Sequence, residues 1–265
     1  MNVDVNSEDF NSLSNRQLAD LISQHLSEVI DDSFLQKCPD DFAEAQTAIG
    51  NAVKLLDLEE YSRTRNHVDG SVSELSSYIR HGLVSTAEIY EATHQKQGPE
   101  KFTQELCWRE YFAAYAARNP DSLWNSVERY KTGYLESDYS DEIPLDILEH
   151  STGELCIDQM INELHSTGHL HNHCRMYLAS YVVHFRRIKW QAGARWFLEH
   201  LLDGDVASNN LSWQWVASTF SSKPYIFNLD NVRKYCSTKY DVSPIRNPNL
   251  DHSYEYLSAK LFPNA

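Results

Sequence analysis

Glycine and proline are scarce in this sequence, with 9 and 8 among 265 residues. Turns that need a positive φ or a locked φ are therefore few, and helix is favoured over a meander of short strands. Cysteine is sparse too. Cys38, Cys107, Cys156, Cys174 and Cys236 are odd in number, scattered and free of any CxxC. That excludes a disulfide frame, a cysteine zinc site and an iron–sulfur site, and points to free thiols in a reducing compartment, the cytoplasm. No apolar run approaches the roughly 18 residues of a membrane helix, so no membrane partner is expected. The start, Met1-Asn2-Val3-Asp4, has neither the basic nor the apolar region of a signal peptide. Positive charge is short: 23 Lys and Arg against 38 Asp and Glu leave a net charge of −15. This disfavours diffuse nucleic-acid binding, which draws its affinity from basic patches. A local basic face stays open, because Arg175, Arg186, Arg187, Lys189 and Arg195 cluster in a stretch poor in acids.

Apolar residues make up 42% and aromatic residues 12%, with 15 Tyr and 6 Trp. That is enough for a sizeable core in one domain. Leu18, Leu21, Ile22, Leu26 and Val29 recur at three and four and predict a helix over 15–30. Phe42, Ala45, Ile49, Val53 and Leu56 predict another over 42–58. Further helices are expected over 103–118, ended by Asn119-Pro120, and over 156–165, ended near Gly168. Two more are expected, from 169 to about 187 and over 192–202. Residues 119–151 read as a long loop with short helices. The fold expected is all-α. Residues 1–15 form a polar tail, 16–240 the helical domain, and 241–265 a tail packed on or near it.

Chemistry concentrates in Asp203-Gly204-Asp205, Asn209-Asn210 and Trp213-Gln214-Trp215. The two carboxylates suit sugar or ribityl hydroxyls, or an arginine, and Asn209 suits the edge of a heterocycle. The same residues also read as a polar turn ahead of a tryptophan-bearing core helix. As a metal pair, the two aspartates lack further acidic ligands nearby in sequence. His169, His171 and His173 do not help: only His169 and His173 share a helix face, and no metal is expected. The segment Gly70-Ser71-Val72-Ser73-Glu74-Leu75-Ser76-Ser77 places glycine and serines ahead of a helical run, which suits a pyrophosphate or simply caps a helix. Glu105 and Trp108, three apart, share a face.

In this order and at this spacing the segments resemble the photolyase/cryptochrome family. Asp203 to Trp215 is similar to that family's DGDxAxNNxxWQW, and Ser71 to Gly82 to its phosphate-binding segment. Glu105 to Phe112 is similar to ExxWREF, and Ile188 to Gly193 to IDWRxG. Thr152 to Met176 follows the TG…TGxxHNRxRM pattern, departing from it at His169 and His173. The resemblance covers roughly 42–236. No alternating strand–helix pattern precedes residue 42, so the expectation is a free-standing flavin domain without the family's N-terminal antenna domain.

The resemblance implies FAD as cofactor, held by Tyr61, Val72, Ser73, Glu74, Leu75, Ser76, Asn172, Arg175, Asp203, Gly204, Asp205 and Asn209, with Asp203 paired to Arg175. It implies a dimer site of Glu105, Trp108, Asn172, Met176 and Trp215. Glu105 and Asn209 would be catalytic, with Trp213 and Trp190 carrying electrons. The family's third tryptophan has no counterpart in 130–150, so Tyr134 or Tyr139 is expected as an exposed terminal carrier. The activity implied is light-driven repair of cyclobutane pyrimidine dimers in DNA by electron transfer from reduced flavin. A blue-light photoreceptor acting on a protein partner, or a flavin redox protein, is the alternative.

Overall fold

The computed structural model describes Gln17 and residues 42–264. The tail expected over 1–15 lies outside the described residues, as does the helix over 15–30 apart from Gln17. The chain divides into two compact units, Met1–Leu55 and Leu56–Ala265. The first contributes one described helix, α1, Phe42–Leu55.

The second unit is helical: α2 (Leu58–Thr64), α3 (Ser76–Arg80), α4 (Thr86–Thr93), α5 (Glu100–Arg118), α6 (Leu145–Leu148), α7 (Leu155–Thr167), α8 (Asn172–Ser180), α9 (Trp190–His200), α10 (Val206–Ala217), α11 (Leu229–Cys236) and α12 (Tyr254–Leu261). Among the described residues there is no strand, only an isolated bridge from Ser140 to Ile188. None of the described helices is long and apolar enough to cross a membrane.

The expected helix over 42–58 is interrupted before α2. Asp57 takes an extended backbone and its carboxylate accepts the Glu60 amide at 2.9 Å, capping α2. The helix expected from 169 to 187 starts later and ends sooner. The His171 ring accepts the His173 amide and caps α8, and a π-turn, Tyr181–Phe185, follows. Arg187 then takes φ 49° and closes the run. The polar C-terminal stretch is more structured than its composition suggests. Buried Leu229, Val232 and Cys236 hold α11, and Leu257 and Leu261 hold α12. Between them Asn247 accepts the Cys156 amide at 2.8 Å, while Glu154 binds Asn249 at the start of α7.

Helix α10 lies deep in the unit, packed against α5, α8 and α9. Asp205 caps it by accepting Ser208 N–H at 2.8 Å, and Ser218 ends it with φ 72°. Its approach to α9 depends on Gly193: a Cβ there would fall 2.3 Å from the Trp213 ring. Only glycine lets that indole rest on the α9 backbone. At the far end of α9 an imidazole chain ties three segments. Trp196 Nε1 donates to His165 Nε2 at 3.1 Å, and His165 Nδ1 meets His150 Nε2 at 2.8 Å. His200 stacks on His165 at 4.2 Å.

Candidate active site

Helices α5, α8 and α10, with the turn before α10, enclose a cavity of about 590 Å³, within the range of small-molecule and cofactor sites. The floor comes from the α9–α10 turn. Asp203 is buried, and Arg175 of α8 reaches it at 2.9 Å. Burial pushes this carboxyl up, but the Arg175 guanidinium outweighs it, helped by Ser76 and His169, and holds it below the usual carboxylate range. Arg175 Nε also donates to Leu170 O, so the guanidinium is fixed from two sides. The ion pair expected between Asp203 and Arg175 is therefore formed.

Helical spacing decides what α10 shows to the cavity. Ser208, Asn209, Ser212, Trp213 and Val216 recur at three and four and all line it. Asn210 and Gln214 point away and bind Leu123 O and Ser122 O. Both amide protons of Asn209 are engaged, by Ala194 O at 3.0 Å and Asn210 Oδ1 at 2.9 Å. What Asn209 offers the cavity is its acceptor oxygen.

The rim comes from α5 and α8. Glu105 and Trp108 line it from α5, and Asn172 and Met176 from α8. Trp215 completes it. Trp108 and Trp215 are 46% and 42% exposed, unusually open for indoles. Lys101 Nζ holds Glu105 Oε1 at 2.8 Å, with Arg65 at 3.8 Å.

The cavity thus gathers Glu105, Trp108, Asn172, Arg175, Met176, Asp203, Gly204, Asp205, Asn209, Trp213 and Trp215, with Ser76 from the 70–82 segment. It does not gather Tyr61, Val72, Ser73, Glu74, Leu75 or Trp190. Tyr61 is packed edge-on to Phe102 at 5.2 Å, and burial together with Glu105 pushes its phenol up to about 12. Leu75 is a core side chain, 1% exposed. The helical run expected after Gly70 is shorter than its sequence suggests, because α3 has 5 residues. Trp190 is wholly buried, with Nε1 donating to Ser126.

The expectation of an exposed terminal tyrosine is corrected. Tyr139 is buried and stacked on Tyr130 at 4.3 Å, and Tyr134 is half-buried under Arg187. The tyrosine touching Trp190 is Tyr130, whose hydroxyl accepts the Trp190 amide at 3.4 Å. Burial raises the phenols of Tyr130 and Tyr139, which opposes the proton loss an oxidised tyrosine requires. The local basic face that the sequence left open is largely taken up by partners. Arg175 binds Asp203, Arg186 binds Asp146, Lys189 binds Asp141, and Arg187 and Arg195 cover Tyr134 and Trp124.

Sequence reasoning passed over Arg65, Arg109, His173, Phe197, Ser208 and Ser212, which also line the cavity. The 208/209/212/213/216 spacing was a usable signal for the serines. Nothing local pointed to Arg65 or Phe197, which arrive from other elements. Burial, and secondarily His171, push His173 down to about 4, so this residue is neutral at pH 7.

The polar atoms of the cavity fit a large heterocyclic dinucleotide. Asp203 Oδ1, Ser208 Oγ, Trp213 Nε1 and His173 Nε2 are buried, belong to lining residues and have no hydrogen-bond partner. Buried polar atoms are normally satisfied, so unpaired donors and acceptors gathered in one cavity match a polar ligand. The comparisons agree. A deoxyribodipyrimidine photo-lyase of Streptomyces griseus is 36% identical over 156 residues, which is 56% of this chain and 32% of that protein. A bacterial class III photolyase from Agrobacterium tumefaciens matches the fold with a TM-score of 0.69 at 20% identity, covering 88% of this chain and 57% of that one. A Synechocystis cryptochrome does so with a TM-score of 0.65 at 21% identity, covering 86% and 52%. The chain spans less than half the length of the curated relatives it matches. The family profile described as the FAD binding domain of DNA photolyase matches residues 102–243, more than half of the sequence, and the chain belongs to that family.

Proposed function

We propose that the cavity holds FAD and that the chain carries out light-driven repair of cyclobutane pyrimidine dimers in DNA. One observation carries this reading: a single cavity is lined at its floor by Asp203, Arg175 and Asn209 and at its rim by Glu105, Trp108, Met176 and Trp215. A cofactor below and two joined neighbouring pyrimidines of one strand above suit such a two-level site. Asp203 Oδ1 and Ser208 Oγ are the free groups for hydroxyls, Trp213 Nε1 is a free donor, and Asn209 Oδ1 accepts from a ring N–H. When bound, reduced FAD supplies on illumination one electron that splits the dimer and is then returned.

The chain's own residues do the rest. Taking a lesion out of the duplex costs a few kcal/mol, less for a distorted base, and stacking on Trp108 and Trp215 offsets it. Glu105 Oε1 is held by Lys101, while Oε2 has no partner among the described residues and suits the N–H edge of a pyrimidine. Met176 and Phe112 line the site with apolar surface, which strengthens the hydrogen bonds made there.

The test is repair of a thymine-dimer oligonucleotide by FAD-loaded, reduced protein under blue light and in the dark. Regained ultraviolet absorbance only in the light supports the reading, and its absence defeats it. Glu105→Ala should lower the repair rate by ~10²-fold while FAD stays bound. Acidity favours the second reading, a blue-light sensor with a protein partner: net charge is −15, and the cations near the site are already paired.

A further inference from the structure

Two thiols outside the cavity face each other in the core. Cys174 of α8 and Cys236, the last residue of α11, lie 3.9 Å apart between sulfurs, and both are fully buried. The His171 ring lies against the Cys174 sulfur. Its Nδ1 accepts the His173 amide at 3.2 Å, so the proton of the neutral ring sits on Nε2, a buried atom without a hydrogen-bond partner. A thiolate on Cys174 would give that donor an acceptor. The Cys236 thiol and burial push the Cys174 thiol up, and His171 opposes them only in part. The pair is thus held as thiols under reducing conditions and is slow toward traces of oxidant.

One ring separates the pair from the surface. Tyr240 lies against the Cys174 sulfur, and with Glu163 and Lys239 it lines an open cavity of about 510 Å³. Its hydroxyl donates to Glu163 Oε2 at 2.7 Å, and Lys239 holds the same carboxylate. A small uncharged oxidant needs only this ring to swing aside. The position on α8 also gives the pair a lever. Asn172, Met176 and Ala179 recur at four and three and line the large cavity, whereas Cys174, two residues from the first two, points the other way, toward α11. Closing the 3.9 Å gap to the roughly 2.05 Å of a disulfide draws α8 away from the cavity, and Arg175 away from Asp203.

We propose that Cys174 and Cys236 are an oxidation site, at which hydrogen peroxide forms a disulfide that pulls α8 off the cavity and loosens its hold on FAD. The Cys174 thiolate attacks one peroxide oxygen and the O–O bond breaks, giving a sulfenic acid and a hydroxide that leaves as water with the thiol's proton. The Cys236 sulfur then attacks the sulfenic sulfur. The S–S bond forms, the S–O bond breaks, and the second hydroxide leaves as water with the Cys236 proton. The two thiols give up two electrons and the peroxide accepts them. The disulfide stands apart from the cofactor reading, and its effect on FAD rests on that reading.

The test treats the full FAD-loaded chain with hydrogen peroxide, denatures it, alkylates the remaining thiols and maps the peptides by mass spectrometry. Peptides holding Cys174 and Cys236 should appear linked and lighter by two hydrogens, and dithiothreitol should separate them. FAD affinity should fall roughly tenfold on oxidation, a common size for coupling between two sites, and return on reduction. Cys236→Ala should take up FAD as the wild type does, form no link and keep its FAD in peroxide, with Cys174→Ala as the second variant should the first not fold. Absence of the link once the exposed Cys107 is fully oxidised overturns the proposal, as does Cys174 carried to sulfinic acid without joining Cys236. A complete link with unchanged FAD affinity overturns it too. A wild type that forms the reversible link but takes up no FAD before oxidation keeps the oxidation site and defeats the cofactor reading.

Discussion

Helices α5 and α10 share the cavity but are built on opposite terms. On α10 the outward amides are tied to distant backbone, Asn210 to Leu123 and Gln214 to Ser122, and the indole of Trp213 rests on Gly193. On α5 most side chains are open, and Glu105 is steadied by a half-buried lysine of its own helix, with Arg65 farther off. Ordering a side chain before a ligand arrives removes that entropic cost from binding. The α10 wall is thus set before anything binds, whereas the α5 wall can adjust to what arrives. Substitutions in the floor should cost stability and FAD together, and substitutions in the rim should leave both nearly untouched.

The sharpest way to break this contrast is Arg175→Met. It strands the Asp203 carboxylate with no counter-charge, a loss on the order of 3–5 kcal/mol for a buried pair. Chemical denaturation should show it, together with weaker FAD retention. Asp203→Asn combined with Arg175→Met should cost less than Arg175→Met alone. A larger cost for the double variant would mean the pair is not what fixes the floor.

Acid should act on the buried histidines before it reaches the Asp203 floor. His184 is buried against Val216 O at 2.9 Å, and burial pushes it down to about 4. In the unfolded chain it titrates near 6.5. The unfolded state therefore takes up more protons in between, and stability is full above pH 6.5 and falls as pH drops toward 4, by up to about 1.4 kcal/mol per unit. His165 and His173, also pushed down to about 4, add to that slope. Asp203, held low, contributes in a lower window with the same sign: its share is present above about 3.9 and is lost only as pH falls further. His184→Gln, which keeps a donor for Val216, should flatten the slope above pH 4. An unchanged slope would remove His184 as its source.

Gly193→Ala ranks next. A methyl group 2.3 Å from the Trp213 ring forces a shift of α9 against α10, with a typical overpacking cost of about 1–3 kcal/mol. The thermal midpoint should fall and the tryptophan environment should change in near-ultraviolet circular dichroism. The smallest effect belongs to the rim. Lys101→Ala removes a half-buried i, i+4 pair worth roughly 0.3–0.5 kcal/mol, so the melt should barely move while lesion binding weakens. A large loss of stability there would erase the distinction between the two walls.

The α10 wall was legible in the sequence because its residues are consecutive: one cap, one helix and a 3/4 spacing place Asp203 to Trp215 in order. Glu105 with Trp108 and Asn172 with Met176 were legible for the same reason. The rest depends on where separate elements meet. Tyr61 sits in sequence where a cofactor contact was expected, but Phe102 draws it into the core. The basic cluster was visible as letters, but its carboxylate partners, Asp146, Asp141 and Asp203, arrive from elsewhere in the chain. The irregular stretch 119–151 gave no periodicity from which to place Tyr130 against Trp190.

The indole proton of Trp196 has a consequence two rings away. Because it points at His165 Nε2, that nitrogen must present a lone pair, and the proton of a neutral His165 moves to Nδ1. There it faces His150 Nε2, which must be bare in turn, leaving the second ring's proton on its own Nδ1. One fixed donor therefore gives both neutral imidazoles the same tautomer and gives the chain a polarity running from helix α9 toward the loop. Nitrogen NMR would register it as two histidines protonated at Nδ1, a pattern that Trp196→Phe should scramble.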